Sequence, residues 1–414
     1  MAATNTDKKH AKSTTKTPAP SGTPAELGFT FPAEFERQCA TWFTWPRPEG
    51  ISFPGKYHTV PENLARIVHA VAKRQDVHIN VLNDNWARLV RDQLVQHGVP
   101  KKLCESRVFF HAMASNECWC RDHGPAFVVR SGYSQGGPDG AGWKPSGHGR
   151  SIKDVGVVDW AFNAWGGKYP PWDGDDAVPS VIAQRAKLPL WRVPVVMEGG
   201  SVEFNGRGTV LSTTQCLLNK NRNPKLSRAK IERALRDYYG QSHILWLAEG
   251  IEGDDTDGHV DDLVRFISPT KVLIGIEENR RDANYKELDR ALAKLFAMKD
   301  QDGRAFDIVT IPMPSPVEHD GERLPATFIN FLFVDGACLV PVFGRTKAEV
   351  RVQERAMAIM QDHMPHHEVV GVDCRELIWG LGAIHCLSQQ VPLVPGLGER
   401  LRSIAIKGGA LAEA

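Results

Sequence analysis

Hairpins recur along this chain at nearly constant spacing. Residues 201–204 and 209–212 flank Asn205-Gly206, residues 260–267 and 271–276 flank Ser268-Pro269-Thr270, and residues 327–334 and 337–342 flank Asp335-Gly336. Turn-prone residues between runs of β-forming residues are the strongest short-range hairpin signal. The three turns centre on residues 205, 269 and 335, which are 64 and 66 apart. Each hairpin is followed by a helical pattern (224–239, 284–298, 347–363). Each helix is followed by an apolar strand: Ile244-Leu245-Trp246-Leu247, Ile308-Val309-Thr310-Ile311 and Val369-Val370-Gly371-Val372. A fixed period of this size marks a repeated supersecondary unit. Residues 126–129 begin another copy and 383–390 a fifth, which residues 41–44 complete from the other end of the chain. The expectation is an α/β fold of five units closed radially, a five-bladed α/β propeller whose chain ends meet.

The same pattern orders the N-terminal region. Leu64, Ile67, Val68 and Val71 have helical spacing, and residues 77–82 alternate like a strand. Trp86, Leu89, Val90 and Leu94 predict a second helix closed at Gly98, and residues 107–113 another strand. Residues 1–28 are rich in Lys, Thr and Pro, lack an apolar core and read as a disordered tail rather than a secretory signal. Residues 29–414 read as one domain. Within it, residues 131–150 are glycine-rich and patternless, either a mobile lid or an inert insertion.

Composition narrows the partners. With a formal net charge of +1 over 414 residues, nothing argues for nucleic acid or for an acidic partner. No apolar run approaches the roughly 20 residues that span a bilayer. The reading is a cytoplasmic protein whose eight scattered cysteines are free thiols. Cys118-Trp119-Cys120 is too tight for a zinc knuckle and no second pair answers it, so no metal is expected.

If the units close, the first strand of each unit, which carries its polar residues, approaches one axis. Those residues are Trp119 and Asp122, Glu198, His259 and Asp261, Asn330, and Cys386. A thiol, an imidazole and carboxylates drawn from separate segments are the parts of nucleophilic cysteine catalysis. Read singly, each has a plainer alternative. Cys386 packs as a small apolar residue, His259 as a hydrogen-bonded core histidine, Asp261-Asp262 as a charge pair at a strand edge, and Glu198-Gly199-Gly200 as a turn. The aromatic segment 160–172 is either a rim over the pocket or core packing. Strand alternation turns His385 away from the Cys386 face and excludes it as the base. His123, next to Asp122, is excluded in the same way.

The motifs together resemble the agmatine deiminase family, within the guanidino-group-modifying enzymes that share the five-bladed α/β propeller. The matching stretches, in the family's order, are Pro32-Ala33-Glu34-Phe35-Glu36, residues 42–46, residues 119–125, Phe162-Asn163-Ala164-Trp165-Gly166-Gly167-Lys168, Glu198-Gly199-Gly200, Cys216-Leu217-Leu218-Asn219, residues 255–261 and Ile384-His385-Cys386. The resemblance implies Cys386 as nucleophile, His259 as general acid and base, and Asp122 and Asp261 as guanidinium ligands. It places Trp119 against the substrate; Glu198, Asp255 and Asn330 are read as further binding residues, with a turn acid as the alternative for Glu198 and a bond to neighbouring backbone as the alternative for Asn330. Asp255 stands where the family often has glutamate, and Ala383 replaces a common asparagine.

The implied chemistry is hydrolysis of agmatine to N-carbamoylputrescine and ammonia without cofactor, a step of polyamine biosynthesis, in a possible homodimer. Carboxylates bind a planar guanidinium in bidentate fashion. A thiolate, favoured by a nearby imidazolium or by the bound cation, attacks its carbon. Peptidyl-arginine deimination and amidino transfer on the same fold remain open, as does a non-catalytic scaffold. The acidic run Glu252, Asp254, Asp255 and Asp257 leans towards an amine-bearing substrate.

Overall fold

The computed structural model describes residues 20–130 and 151–406. The segment 131–150, read as a lid or an insertion, lies outside the described residues. Ordered contacts begin before residue 29: the Ala25 amide donates to the Asp237 carbonyl and Trp191 Nε1 to the Gly22 carbonyl. The last residues of the expected tail are therefore part of the folded chain.

The fold is mixed α/β. Five sheets repeat one plan, an antiparallel hairpin whose second strand pairs in parallel with a strand arriving after a helix. In the first, Ala126–Arg130 pairs with Val155–Ala161, the helix Val178–Ala186 crosses over, and Leu190–Val196 completes the sheet. The second joins Val202–Phe204, Thr209–Thr213 and His243–Leu247, and the third joins Val264–Phe266, Lys271–Ile276 and Asp307–Pro312. The fourth contains Leu332–Val334, Ala337–Val342 and Glu368–Asp373. In the fifth, Ser388–Pro392 from the C-terminal region pairs antiparallel with Gln38–Thr44 from the N-terminal region. Asp76–Val81 and Val108–Ala112 then extend that sheet in parallel. The repeat seen in the sequence is thus the repeat of the structure, including the unit shared by the two ends.

The crossover helices form for ordinary reasons. Val60–Ala72 buries Val60, Leu64, Ile67, Val68 and Val71, a stripe at helical spacing that packs against its sheet. Each such side chain contributes about 1.5–3 kcal/mol on burial. The Asn83 side chain caps Asp84–Gln96 by accepting from the Trp86 amide, and Thr346 with Glu349 forms a capping box on Lys347–His363. The helix Lys101–Arg107 and the small hairpin Val317–His319 with Glu322–Leu324 have no counterpart in the sequence pattern read above.

One expectation fails in a way that matters for function. The polar sets do not lie on the first strand of each unit. They lie in the tight turn that precedes it: the helical turn Cys120–His123, the 3₁₀ turns Gly199–Ser201 and Val260–Asp262, and the turns at 327–331 and 384–387. The strands themselves are only three to five residues long in these units. Strand alternation sends neighbouring side chains to opposite faces. A turn carries no such constraint, so neighbours such as His385 and Cys386 both face the same interior.

Candidate active site

Five turns converge on a small buried space. Its floor is Gly200, whose amide donates to Asp122 Oδ1 at 3.0 Å. A Cβ added at Gly200 would stand 2.6 Å from His259 Nδ1, 2.9 Å from Asp122 Oδ1 and 3.1 Å from Asp261 Oδ2. The absence of a side chain there is what allows an imidazole and two carboxylates to meet. His259 Nδ1 lies 3.8 Å from Asp122 Oδ1 and 3.9 Å from Asp261 Oδ1. Neither ring nitrogen of His259, nor Asp261 Oδ1, has a hydrogen-bond partner among the described residues, although all are buried. Buried polar atoms are rarely left so, and unpaired ones point to a polar ligand.

Cys386 enters from the turn before the last strand. Its Sγ is 3.0 Å from Asn330 Nδ2 and 3.8 Å from Asp261 Oδ2. Asn330 organises this corner: its Nδ2 also reaches Asp262 Oδ1 at 2.9 Å, and its Oδ1 accepts from the His385 amide at 3.1 Å. Trp119 forms one wall. Its ring is so close to Gly380 and Gly382 that a Cβ at either would stand 2.8 or 2.6 Å from it, and its Nε1 donates to Ser52 Oγ at 2.8 Å.

The electrostatics follow from burial in a group of acids. Burial, then Asp261, Asp262 and Asp122, push the Cys386 thiol well up. Burial alone would depress His259, but Asp122, Asp261, Asp254 and Glu198 outweigh it and raise the imidazole above its ordinary range. Burial also raises Asp122, against the opposing pull of His259. Asp261 is the exception: against burial, the hydrogen bond and charge of His385, with His259 and Arg265, hold its carboxyl low.

The structure brings together Cys386, His259, Asp122, Asp261, Asn330 and Trp119. Glu198 is close but differently engaged: fully buried, its Oε1 accepts from Arg222 Nε at 2.7 Å, while Cys216 Sγ lies 4.0 Å from Oε2. Its charge supports His259 and its bonds go to protein. Asp255 is about one-third exposed, accepts from Tyr169 at 2.5 Å, and lies 3.6 Å from Lys168 Nζ. Donor atoms of Glu198, Cys216 and His259, and of Asp261, Asp262 and Cys386, lie within 4.8 Å of one another. Those atoms belong to the set just described.

His385 corrects the sequence reading. It does not face away. Its Nδ1 is 2.5 Å from Asp261 Oδ2 and its Nε2 is 2.7 Å from Glu34 Oε2. Trp165 belongs to the aromatic segment 160–172, and it reaches the site itself: its Nε1 donates to Asp122 Oδ2 at 2.9 Å. It does so from a left-handed backbone, with φ of 49° at Ala164 and 54° at Trp165, an unfavourable conformation that tends to persist where function needs it. The signal available was the motif Asn163-Ala164-Trp165-Gly166-Gly167, whose glycines permit such a turn. Arg222, buried between Glu198 and Asp257, had no local signal.

Comparison with known proteins agrees with this geometry. Residues 30–392 match the model of the Porphyromonas-type peptidyl-arginine deiminase family. The agmatine deiminase of Pseudomonas aeruginosa is 34% identical, over 90% of this chain and 98% of its own. That of Medicago truncatula is 33% identical with the same coverage. Among solved structures, agmatine deiminase of Enterococcus faecalis superposes with a TM-score of 0.77 at 31% identity, covering 90% of this chain and 98% of its own. The motif order, the paired turns around Gly200 and these matches place the chain in the Porphyromonas-type peptidyl-arginine deiminase family.

Proposed function

We propose that this chain is a hydrolase that deiminates agmatine, releasing ammonia and N-carbamoylputrescine, a product from which putrescine is made. The observation that carries the reading is the meeting of Cys386, His259, Asp122 and Asp261 around Gly200. The named activity of the relatives supports the choice of substrate. The five repeated sheets, with the last built from both chain ends, support a ring of five blades.

In this reading Asp122 and Asp261 take the N–H edges of the guanidinium. Burial, with the charge of Asp261, Asp262 and Asp122, disfavours the thiolate in the free protein; the substrate cation neutralises that charge, so on binding the thiol proton leaves to solvent and the thiolate is favoured. The thiolate attacks the guanidino carbon and its C–S bond forms. His259, held protonated by the same acids, gives its proton to the departing nitrogen, and the C–N bond breaks to release ammonia. An S-alkylthiouronium remains. Neutral His259 takes one proton from water, the hydroxide oxygen adds to the carbon, the C–S bond breaks to return the thiolate, and the remaining hydroxyl proton passes to the released ammonia, which leaves a neutral ureido product and ammonium. These side chains and water supply every proton and electron pair, so no cofactor enters. Trp119 lies along the substrate, Asn330 steadies the sulfur, Asp255 meets the distal amine, and Glu198 holds His259 through charge.

One observation favours a second reading, an arginine residue of a protein or peptide as substrate. Lys168 already lies beside Asp255 and Asp257 and offers a cation to a carboxylate or carbonyl. The test is ammonia and ureido-product release from agmatine, free arginine and an arginine-containing peptide, with Cys386→Ala as control. Turnover of agmatine alone, lost in the variant, supports the proposal. Turnover of the peptide alone moves the substrate, and no turnover of any of them sinks both.

A further inference from the structure

Beneath the reacting groups lies a buried charged array that the reaction as written does not use. Its centre is Glu34, from the segment before the first strand of the shared sheet. Glu34 Oε2 meets Arg121 Nη2 at 2.7 Å and His385 Nε2 at 2.7 Å, and Oε1 meets Arg265 Nη2 at 3.0 Å and the Phe333 amide at 2.8 Å. One carboxylate thereby ties together turns and strands of four units. Arg265 continues to Glu203 Oε2 at 2.9 Å and to the Phe331 carbonyl at 2.7 Å. The side chains of His385, Glu34, Arg121, Arg265 and Asp261 are at most 4% exposed.

His385 bonds directly to both the array and Asp261. Both its ring nitrogens face carboxylate oxygens, Asp261 Oδ2 on one side and Glu34 Oε2 on the other. Ionised carboxylates accept hydrogen bonds and do not donate them. The two bonds coexist only when the ring carries a proton on each nitrogen. Asp261 then has one oxygen fixed by the imidazolium and the other, Oδ1, beside His259 without a hydrogen-bond partner among the described residues.

We propose that His385 is a positioning residue, an imidazolium clamped between Glu34 and Asp261 that fixes the Asp261 carboxylate, ionised and correctly turned, for the guanidinium of the substrate. The role in substrate binding rests on the deiminase reading; the clamp itself does not. The charges facing it are accounted for. Asp261 is met by His259, His385, Asn330, Cys386, Asp262, Asp122 and Arg265, while Glu34 is met by Arg121, Arg265 and His385, with Glu203 behind. Against burial, both carboxyls are held below the usual range with His385 among the causes.

Two measurements test this. In wild-type protein carrying ¹⁵N-histidine, His385, assigned through its contacts to Glu34 and Asp261, is expected to show a proton on each ring nitrogen at neutral pH, as its two carboxylate contacts require. A neutral tautomer at neutral pH overturns the proposal. In His385→Gln, which can keep one hydrogen bond but no charge, KM for the turned-over guanidino compound is expected to rise about tenfold or more with kcat changed less. The acid limb of kcat/KM is expected to move to higher pH, because Asp261 without its cation protonates sooner as pH falls. A folded variant with unchanged KM and acid limb overturns the proposal. If the variant does not fold, or if the wild type turns over no guanidino compound, the histidine resonances alone decide, so failure of the clamp and failure of the deiminase reading are told apart.

Discussion

The α-carbon of Gly200 faces His259 so closely that a methyl group added to it would stand 2.6 Å from Nδ1. The contact makes the size of one residue a condition for the chemistry, because Asp122 and Asp261 converge on the same point from the other sides. Gly200→Ala is expected to lower kcat/KM at least about a hundredfold, since a displacement of about 1 Å in a reacting constellation costs that much. Overpacking adds about 1–3 kcal/mol of destabilisation. Steady-state kinetics beside urea unfolding check this, and a variant with activity within a few-fold of wild type would show that the space is not used.

Trp165 holds Asp122 from the side opposite Gly200, through Nε1 to Oδ2 at 2.9 Å. Trp165→Phe keeps most of the apolar packing and removes this donor. A hydrogen bond to a charged group is worth about 1.5–3 kcal/mol, so kcat/KM is expected to fall about 10- to 100-fold. The pH dependence adds a sign. Asp122 is already raised by burial, and losing a bond to its ionised form raises it further, so the acid limb of kcat/KM moves to higher pH. An acid limb identical to that of wild type would remove Trp165 from the site.

Cys386 is expected to be a poor nucleophile until a cation joins it. Burial and three carboxylates disfavour its thiolate. With a neutral haloacetamide, the alkylation rate of Cys386 should keep rising beyond about pH 8.5, where an ordinary thiol begins to level off. With a haloacetamidine, whose amidinium mimics the guanidinium, alkylation near neutral pH should be faster than with the neutral reagent. Mass spectrometry of the Cys386 peptide reads both rates. A plateau below about pH 8 with the neutral reagent would mean a thiolate that exists without substrate, contrary to the mechanism given.

How far these features were legible depends on the range over which each is encoded. The repeat was legible because a hairpin, a helix and the next strand are each written locally, by Asn205-Gly206 or Asp335-Gly336 and by apolar spacing. Even the pairing of Gln38–Thr44 with Ser388–Pro392 followed from counting units. The boundary between turn and strand was not legible. Apolar runs such as 260–267 and 327–334 look the same whether the first residues form a 3₁₀ turn or a ladder, and the structure begins those strands only at Val264 and Leu332. That error, and no other, misdirected His385. The array around Glu34 was invisible for a different reason. His385 and Glu34 are 351 residues apart, and a buried Glu, Arg or His is written with the same letters as a solvated one.

Lys168 separates the two substrate classes. Its Nζ lies 3.1 Å from Asp257 Oδ1 and 3.6 Å from Asp255 Oδ1, with Tyr169 on the other oxygen of Asp255. If Asp255 receives the amine of agmatine, Lys168 competes for it, and Lys168→Met should lower KM for agmatine. The pair is partly exposed and such pairs are worth about 0–1 kcal/mol, so the expected change is about two- to fivefold, with kcat unaltered. If instead Lys168 receives a carboxylate or carbonyl, the same variant should raise KM for free arginine or a peptide and leave agmatine unchanged. The ratio of kcat/KM for agmatine to that for arginine, measured in both proteins, therefore rises in either case. Which of the two KM values moves identifies the group at the mouth, and a constant ratio would place Lys168 outside the substrate's reach.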